Sequence, residues 1–357
     1  MVRLKELDWI GYSLHTSTLL LFTLACIASG PSWEWNSRST RNTWLLFACM
    51  LLAYIAQQAL SFGTSRDRRL LLPWFTLLLP RRGGNRRTVF LAGVCTACAG
   101  AAVGLVVYYT PIYFVLMRVH STLDATSRLL PFLAAFLAAA LLSGALLARL
   151  RAYRLVFMVG AACLAVGSGL LHAITPDTDE RAIKAYEAFV GAGAGVLWHL
   201  AAPVLCALQH QQQQPEPEPE RHLLLDHATL QSAAQLGGLA AARAIAAVLY
   251  HGVGGRLLRA AIADAAYSDA DVRELLLGIR ASAIMTETNP DTLVLVYEIV
   301  VQATARCFSV LVVAGVAAFV AACCLRGDEP DFFRSRDRNR NRKRSKTLEE
   351  PCSPPPG

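Results

Sequence analysis

The stretch VFLAGVCTACAGAAVGLVVYY, from Val89 to Tyr109, contains no charged residue and is long enough to cross a lipid bilayer as a helix. A spanning helix needs about 20 apolar residues, because it rises ~1.5 Å per residue across ~30 Å of hydrocarbon. Seven other stretches are similarly apolar, and the sequence therefore predicts an all-α integral membrane protein. The eight predicted spans are Leu7–Gly30, Trp44–Phe62, Val89–Tyr109, Leu129–Leu150, Leu155–Ile174, Ala185–Leu208, Thr229–Tyr250 and Ile299–Leu325.

Composition and charge agree with this class. Of the residues, 54% are hydrophobic and 17% are charged, and the net charge is +8. Lys and Arg do not form one patch but are concentrated in alternate loops, so we expect no nucleic-acid partner. The positive-inside rule places the basic loops and both termini in the cytoplasm. The bilayer is then the first partner of the chain, with the plasma membrane as the expected location and the vacuolar membrane as the alternative.

The loops divide the chain into parts. Within the larger bundle, the Gln-rich and Pro-Glu-rich segment 209–222 predicts a disordered loop, since it cannot bury a core. Segment 251–298 predicts a long outer loop with amphipathic helices at the membrane surface. The predicted parts are a transmembrane helix pair (1–63), a basic cytoplasmic loop (64–88), a six-helix bundle (89–325) and a basic cytoplasmic tail (326–357).

Small residues and prolines mark points of close packing and bending. Glycines two to four residues apart in a membrane helix allow the backbones of two helices to approach closely. A proline frees a backbone carbonyl and bends the helix axis, so Pro111 and Pro131 are predicted to flank a short outer turn. The glycines predicted to pack against neighbouring helices are Gly191, Gly193, Gly195, Gly237 and Gly238.

A series of motifs, in order, resembles a known family. The motifs are LDWIGYSL (7–14), YYTPIYF (108–114), RLLPF (128–132), SGALLARLRAYR (143–154), GSGLL (167–171), GAGAG (191–195) and QLGG (235–238). They resemble the C-terminal part of the fungal-type fourteen-helix drug:proton antiporters of the major facilitator superfamily (MFS). The resemblance implies that the first two spans are an inserted helix pair and that the six-helix bundle is the C-terminal half. The implied activity is multidrug efflux: proton antiport of small lipophilic drugs, toxins or secondary metabolites.

The chain also departs from the family pattern. Met1 lies just before the inserted pair, so we expect the first six helices of the family to be missing. We therefore expect a truncated transporter that needs a missing N-terminal half and does not transport alone. The alternative is a non-transporting membrane interaction protein derived from such a transporter. Smaller departures are His199 in place of the usual Gln, Ala201 in place of Pro, and Arg151 in place of Gly.

Five residues are candidates for the substrate or proton pathway. Ionisable groups are costly inside a membrane and usually face a cavity or a partner, which singles out Glu187, His199 and Arg243. Each has a simpler reading: Glu187 reaches the outer interface, His199 is a hydrogen-bonded core residue, and Arg243 is a drifted residue or pairs with an acid. Tyr109 and Trp198 are candidates for an aromatic substrate cavity, although interfacial belts favour the same residue types.

Catalytic and metal chemistry is not indicated. Cys95 and Cys98 form a CxxC motif, but it lies in an apolar helix without a matching second pair. No cluster of His, Cys and acidic residues has the spacing of metal ligands. We therefore expect no enzymatic activity, no metal and no cofactor.

The charge pattern predicts that residue 212 faces the cytoplasm. A membrane-impermeant maleimide should therefore not label a Gln212→Cys variant in intact cells, and should label it after permeabilisation. The unsubstituted chain provides the background from native cysteines. Labelling of the variant above that background without permeabilisation would contradict the predicted topology.

Overall fold

The structure, a computed structural model, describes residues 9–29, 33, 35–60, 86–117, 122–150, 153–210, 220–261, 268–276 and 290–325. Within these residues the secondary structure is helical, apart from an isolated bridge between Ser29 and Trp33. In chain order the helices are α1 (Trp9–Ala28), α2 (Arg38–Leu60), α3 (Arg86–Met117), α4 (Thr122–Ser127), α5 (Leu130–Leu150), α6 (Tyr153–His172), α7 (Glu180–His210), α8 (Glu220–Ala261), α9 (Asp269–Leu276) and α10 (Pro290–Cys323).

Each of the eight predicted spans overlaps one of the eight long helices. Within the described part of the chain, seven of them are long and apolar enough to cross a membrane: α1, α2, α3, α6, α8, α10 and the segment Leu123–Leu147 that includes most of α5. The helix α7 is not among the seven, although it has 31 residues. Its side chains beyond Val204 lie outside the described residues. The chain is an all-helical, multi-pass membrane protein, as the sequence predicts.

Five of the long helices have more residues than the predicted spans, namely α2, α3, α7, α8 and α10, and the extensions of α3 and α8 change the predicted loops. The helix α3 does not end at Tyr109 but continues through Pro111 to Met117. Its last turns are buried, with Tyr113 and Phe114 in the core. Packing against neighbouring helices lets membrane helices retain a proline, because it compensates for the lost backbone hydrogen bond. Pro131, by contrast, is the second residue of α5, where a missing N–H costs nothing.

The helix α8 also continues, to Ala261, so the first part of the predicted outer loop 251–298 is an extension of a span. Leu258 on this extension is buried. The short helix α9 packs beside it, and a Cβ on Gly254 would touch Leu276 of α9 and Ala303 of α10. At the other predicted loop, 209–222, α7 extends to His210 and α8 begins at Glu220. Residues 211–219, and with them most of that loop, lie outside the described residues, as do 64–85 and 326–357.

The helices pack into one bundle with a peripheral pair. The helix α7 packs against α5 and α6, α6 packs against α10, and α3 packs against α8 and α10. The pair α1 and α2 pack on each other, and α1 also contacts α8. Polar contacts reinforce the α6–α10 contact: the Arg154 guanidinium donates to the carbonyl oxygen of Cys323 at 2.9 Å, and His172 Nδ1 lies 2.7 Å from that of Ala305.

The GAGAG motif of α7 places two neighbouring helices at backbone contact distance. A Cβ on Gly191 or Gly195 would overlap the carbonyl oxygen of Phe132 or Phe136 on α5, respectively. A Cβ on Gly193 would overlap the backbone of α6 at Leu164. Alternate glycines therefore face alternate neighbours, and α7 is held between α5 and α6.

A second close approach joins α3 to α8. A Cβ on Gly238 would overlap the carbonyl oxygen of Ala97, and one on Gly100 would overlap that of Gln235. The neighbouring Gly237, which the sequence also predicts to pack, faces open space, with nothing within 4 Å of an added Cβ. Successive residues on a helix point about 100° apart, so two adjacent glycines cannot both face the same neighbour.

These two glycines provide a matched pair of substitutions. Gly238→Ala should destabilise the protein by ~1–3 kcal/mol, because the new methyl group forces α3 and α8 apart. Gly237→Ala should leave the stability unchanged or raise it by up to ~1 kcal/mol, since alanine favours helix formation over glycine. Thermal unfolding in detergent, followed by size-exclusion chromatography, measures both. Equal midpoints for the two variants would contradict the described α3–α8 contact.

Candidate functional site

The structure separates the five candidate residues into two groups. Glu187, Trp198 and His199 lie on α7, whereas Tyr109 lies on α3 and Arg243 on α8.

Glu187 is fully buried, with 0% of its surface exposed. Neither of its carboxylate oxygens has a hydrogen-bond partner among the described residues. Lys184, one turn earlier, is within electrostatic range, but its ammonium group lies 2.6 Å from Glu180 at the start of the helix. The carboxyl group therefore lies inside the bundle and not at its outer surface, which differs from the simpler sequence reading.

The position of Glu187 follows from the glycines that come after it. Residues four apart lie on the same face of a helix, so Glu187 shares a face with Gly191. Gly191 meets the backbone of α5 at Phe132. A buried carboxyl group without a hydrogen-bond partner is costly when charged, so a group of this kind is suited to binding and releasing a proton.

His199 and Trp198 take different positions on α7. The His199 side chain is exposed on the surface of the bundle, so it is not a core histidine. The Trp198 ring packs edge-to-face against Phe136, with 5.6 Å between the ring centroids. Its backbone carbonyl accepts hydrogen bonds from the side-chain amides of Gln231 and Gln235, both at 2.9 Å.

The glutamines form a polar bridge between α7 and α8 near a proline. Pro203 has no N–H to bond the carbonyl of His199, so the helix hydrogen bonding is interrupted at this turn. The side-chain amides of Gln231 and Gln235 donate to the carbonyl oxygen of Trp198, the residue before His199 in the same turn. Sequence reasoning missed this bridge, although glutamines inside an apolar span are a recognised signal of contacts between membrane helices.

Arg243 and Tyr109 belong to an aromatic cluster between α3, α8 and α10. The Arg243 guanidinium carbon lies 4.5 Å from the centroid of the Tyr108 ring, in cation–π geometry. Tyr109 is buried beside both Tyr108 and Tyr250, at centroid distances of 5.0 and 5.4 Å. The Cys307 thiol of α10 donates to the carbonyl oxygen of Ala246 on α8 at 3.4 Å and lies within electrostatic range of Tyr109. The sequence did not identify Tyr250 or Cys307 as members, because their neighbours depend on helix packing.

The polar bridge can be tested by removing its donors. Gln235→Leu should lower stability by ~1 kcal/mol, and the double change Gln231→Leu with Gln235→Leu should lower it further, as interhelical hydrogen bonds are lost. Gln302→Leu, at an exposed glutamine of α10, serves as the control and should not destabilise. Thermal unfolding midpoints in detergent give the comparison. A double variant as stable as the control would contradict the bridge.

Comparison with known proteins finds relatives that are named as transporters. No family model matches the chain. It is 26% identical to the efflux pump patC of Aspergillus clavatus over 90% of this chain and 55% of the relative. It is 25% identical to the MFS-type transporter patC of Penicillium expansum over 90% of this chain and 56% of that relative. The efflux pump DEP3 of Fusarium langsethiae matches 54% of this chain and 34% of its own length, at 25% identity.

The chain spans about half the length of the first two of these relatives. Both matches cover 90% of this chain. The chain is therefore an all-helical membrane protein with a partial MFS fold, similar over most of its length to MFS-type transporters.

Proposed function

We propose that this chain forms one side of an MFS-type transporter that exports small lipophilic molecules in exchange for protons. The similarity to proteins named efflux pumps supports export, and the membrane bundle supplies the setting for it. In transporters of this kind the substrate lies between two bundles near the middle of the membrane, and the bundles rock around it. The helices of this chain would then line one wall of that pathway.

The observation that carries the proposal is the burial of an unpaired carboxyl group at Glu187. Its carboxyl group is fully buried in α7 without a hydrogen-bond partner among the described residues. A structural role would call for a partner, since an unpaired buried carboxyl group contributes nothing to stability. Proton exchange accounts for the position: movement of α7 relative to α5 during rocking would expose the group to water on one side and then on the other.

The exposed His199 supports the proposal that this chain forms only one side of the transporter. An imidazole on the surface of a membrane helix is unfavourable against lipid, so such side chains usually face a cavity or a protein partner. We propose that the surface of α7 carrying His199 faces the other half of the transporter. The chain alone would then lack one wall of the pathway and would not transport.

Proton coupling gives a test based on Glu187. The chain is co-expressed with the part of the Aspergillus clavatus efflux pump that it does not match, and the complex is placed in liposomes under a pH gradient. Glu187→Gln should remove the dependence of efflux on the gradient, because an amide cannot carry the proton. The assay follows a panel of lipophilic fluorescent compounds.

The control is Glu298→Gln, which changes an exposed carboxylate on α10 and should leave gradient-driven efflux unchanged. Protein level and size-exclusion profile are compared for all variants. Gradient-driven efflux that persists in Glu187→Gln would contradict a proton-carrying role for this residue.

A further inference from the structure

Arg243 is a positive charge near the middle of a membrane helix without an acidic partner in the described part of the chain. It lies close to the centre of the apolar segment Leu230–Ala261 of α8. The described ion pairs join Arg128 and Lys184 to Glu180 and leave Arg243 out. Its side chain is half-buried, and its partner is the face of the Tyr108 ring.

A single cation–π contact leaves most of the guanidinium hydrogen-bonding capacity unused. The group has five N–H donors in a planar fork that matches the two oxygens of a carboxylate. Arg243 is 13 residues after Leu230 and 18 before Ala261, roughly 20 and 27 Å along the helix at ~1.5 Å per residue, which is further than an arginine side chain reaches. Charged side chains inside membrane helices usually pair with another group or mark the pathway of a substrate or ion, so an anionic group that enters this site would compensate the charge.

A second donor lies in the same cluster. The Tyr250 ring is 1% exposed, and its hydroxyl has no hydrogen-bond partner among the described residues. Tyr109 links Arg243 to Tyr250 through ring contacts, because its ring centroid lies 5.0 Å from that of Tyr108, over which Arg243 sits, and 5.4 Å from that of Tyr250. Tyr108 is 37% exposed and offers an aromatic surface beside the charge. The cluster thus combines a cation, a free hydroxyl donor and an accessible ring.

We propose that this cluster binds the carboxylate of an amphiphilic organic acid, with Arg243 as the cationic ligand and Tyr250 as a neutral donor. The apolar part of the acid packs on the Tyr108 ring. That such an acid is also the exported molecule rests on the proposed function. Binding of the acid does not depend on the proposed function. It narrows the expected substrates from lipophilic molecules in general to lipophilic molecules that carry an anionic group.

The test is a binding titration on the purified full chain in nanodiscs of zwitterionic lipid. The probes are pyrenebutyrate and its uncharged primary amide, followed by fluorescence anisotropy. The acid should bind at least about tenfold more tightly than the amide, as expected for a charge-assisted hydrogen bond. Arg243→Gln should reduce acid binding to the level of the amide and leave amide binding unchanged.

Two further variants keep the test decisive if Arg243→Gln does not fold. Tyr250→Phe removes only the hydroxyl and should weaken acid binding about threefold to tenfold, with no effect on the amide. Arg256→Gln, the control, changes an exposed arginine on the same helix whose Nε donates to the carbonyl of Gly252, and should change neither. Equal binding of acid and amide by the unsubstituted chain would overturn the proposal. A preference for the acid that survives both Arg243→Gln and Tyr250→Phe would overturn it as well.

A lipid headgroup is the other anion that could reach Arg243, and a second set of nanodiscs separates the two sources. Anionic lipid in the disc should leave the affinity for the acid unchanged within about twofold, since headgroups lie at the membrane surface and the site does not. Loss of the acid preference in these discs would instead assign the site to lipid. Acid-selective binding together with absent gradient-driven efflux would contradict the proposed function alone.

Discussion

The bundle depends on the close approach of α7 to its two neighbours. Gly191 and Gly195 bring its backbone against α5, and Gly193 brings it against α6. In a membrane, lipid is as apolar as a leucine side chain, so helices associate through tight backbone packing rather than through the hydrophobic effect. The same face of α7 carries Glu187 one turn earlier. The contact that holds the bundle together therefore also determines which carboxyl group is buried within it.

The buried Glu187 and the half-buried Arg243 lie at different helix contacts, and this division matters for mechanism. Glu187 is on the α7 face that meets α5, whereas Arg243 is in the aromatic cluster between α3, α8 and α10. The two side chains do not form an ion pair. A proton on Glu187 and an anion beside Arg243 would therefore occupy separate sites, coupled through movement of the helices between them and not through direct charge contact.

Hydropathy alone predicted where the long helices lie, because a span must exclude charge over a fixed length. The GAGAG motif predicted tight packing for a separate reason: glycines allow two helix backbones to approach closely. Sequence reasoning failed where the outcome depends on which helices are neighbours. It ended α3 before Pro111, ended the seventh span at Tyr250, and treated Gly237 and Gly238 alike. The bridge from Gln235 to Trp198 and the cluster around Tyr250 require the packed structure, since their partners are distant in sequence.

The central claim is that this chain supplies one wall of an efflux pathway. The most direct test compares liposomes that hold the chain alone with liposomes that hold the chain and the part of the Aspergillus clavatus efflux pump that it does not match. Efflux of lipophilic fluorescent compounds is measured under an imposed pH gradient. The account predicts gradient-driven efflux from the combined preparation and none above empty liposomes from the chain alone. Gradient-driven efflux by the chain alone, or its absence from a correctly assembled complex, would contradict the account.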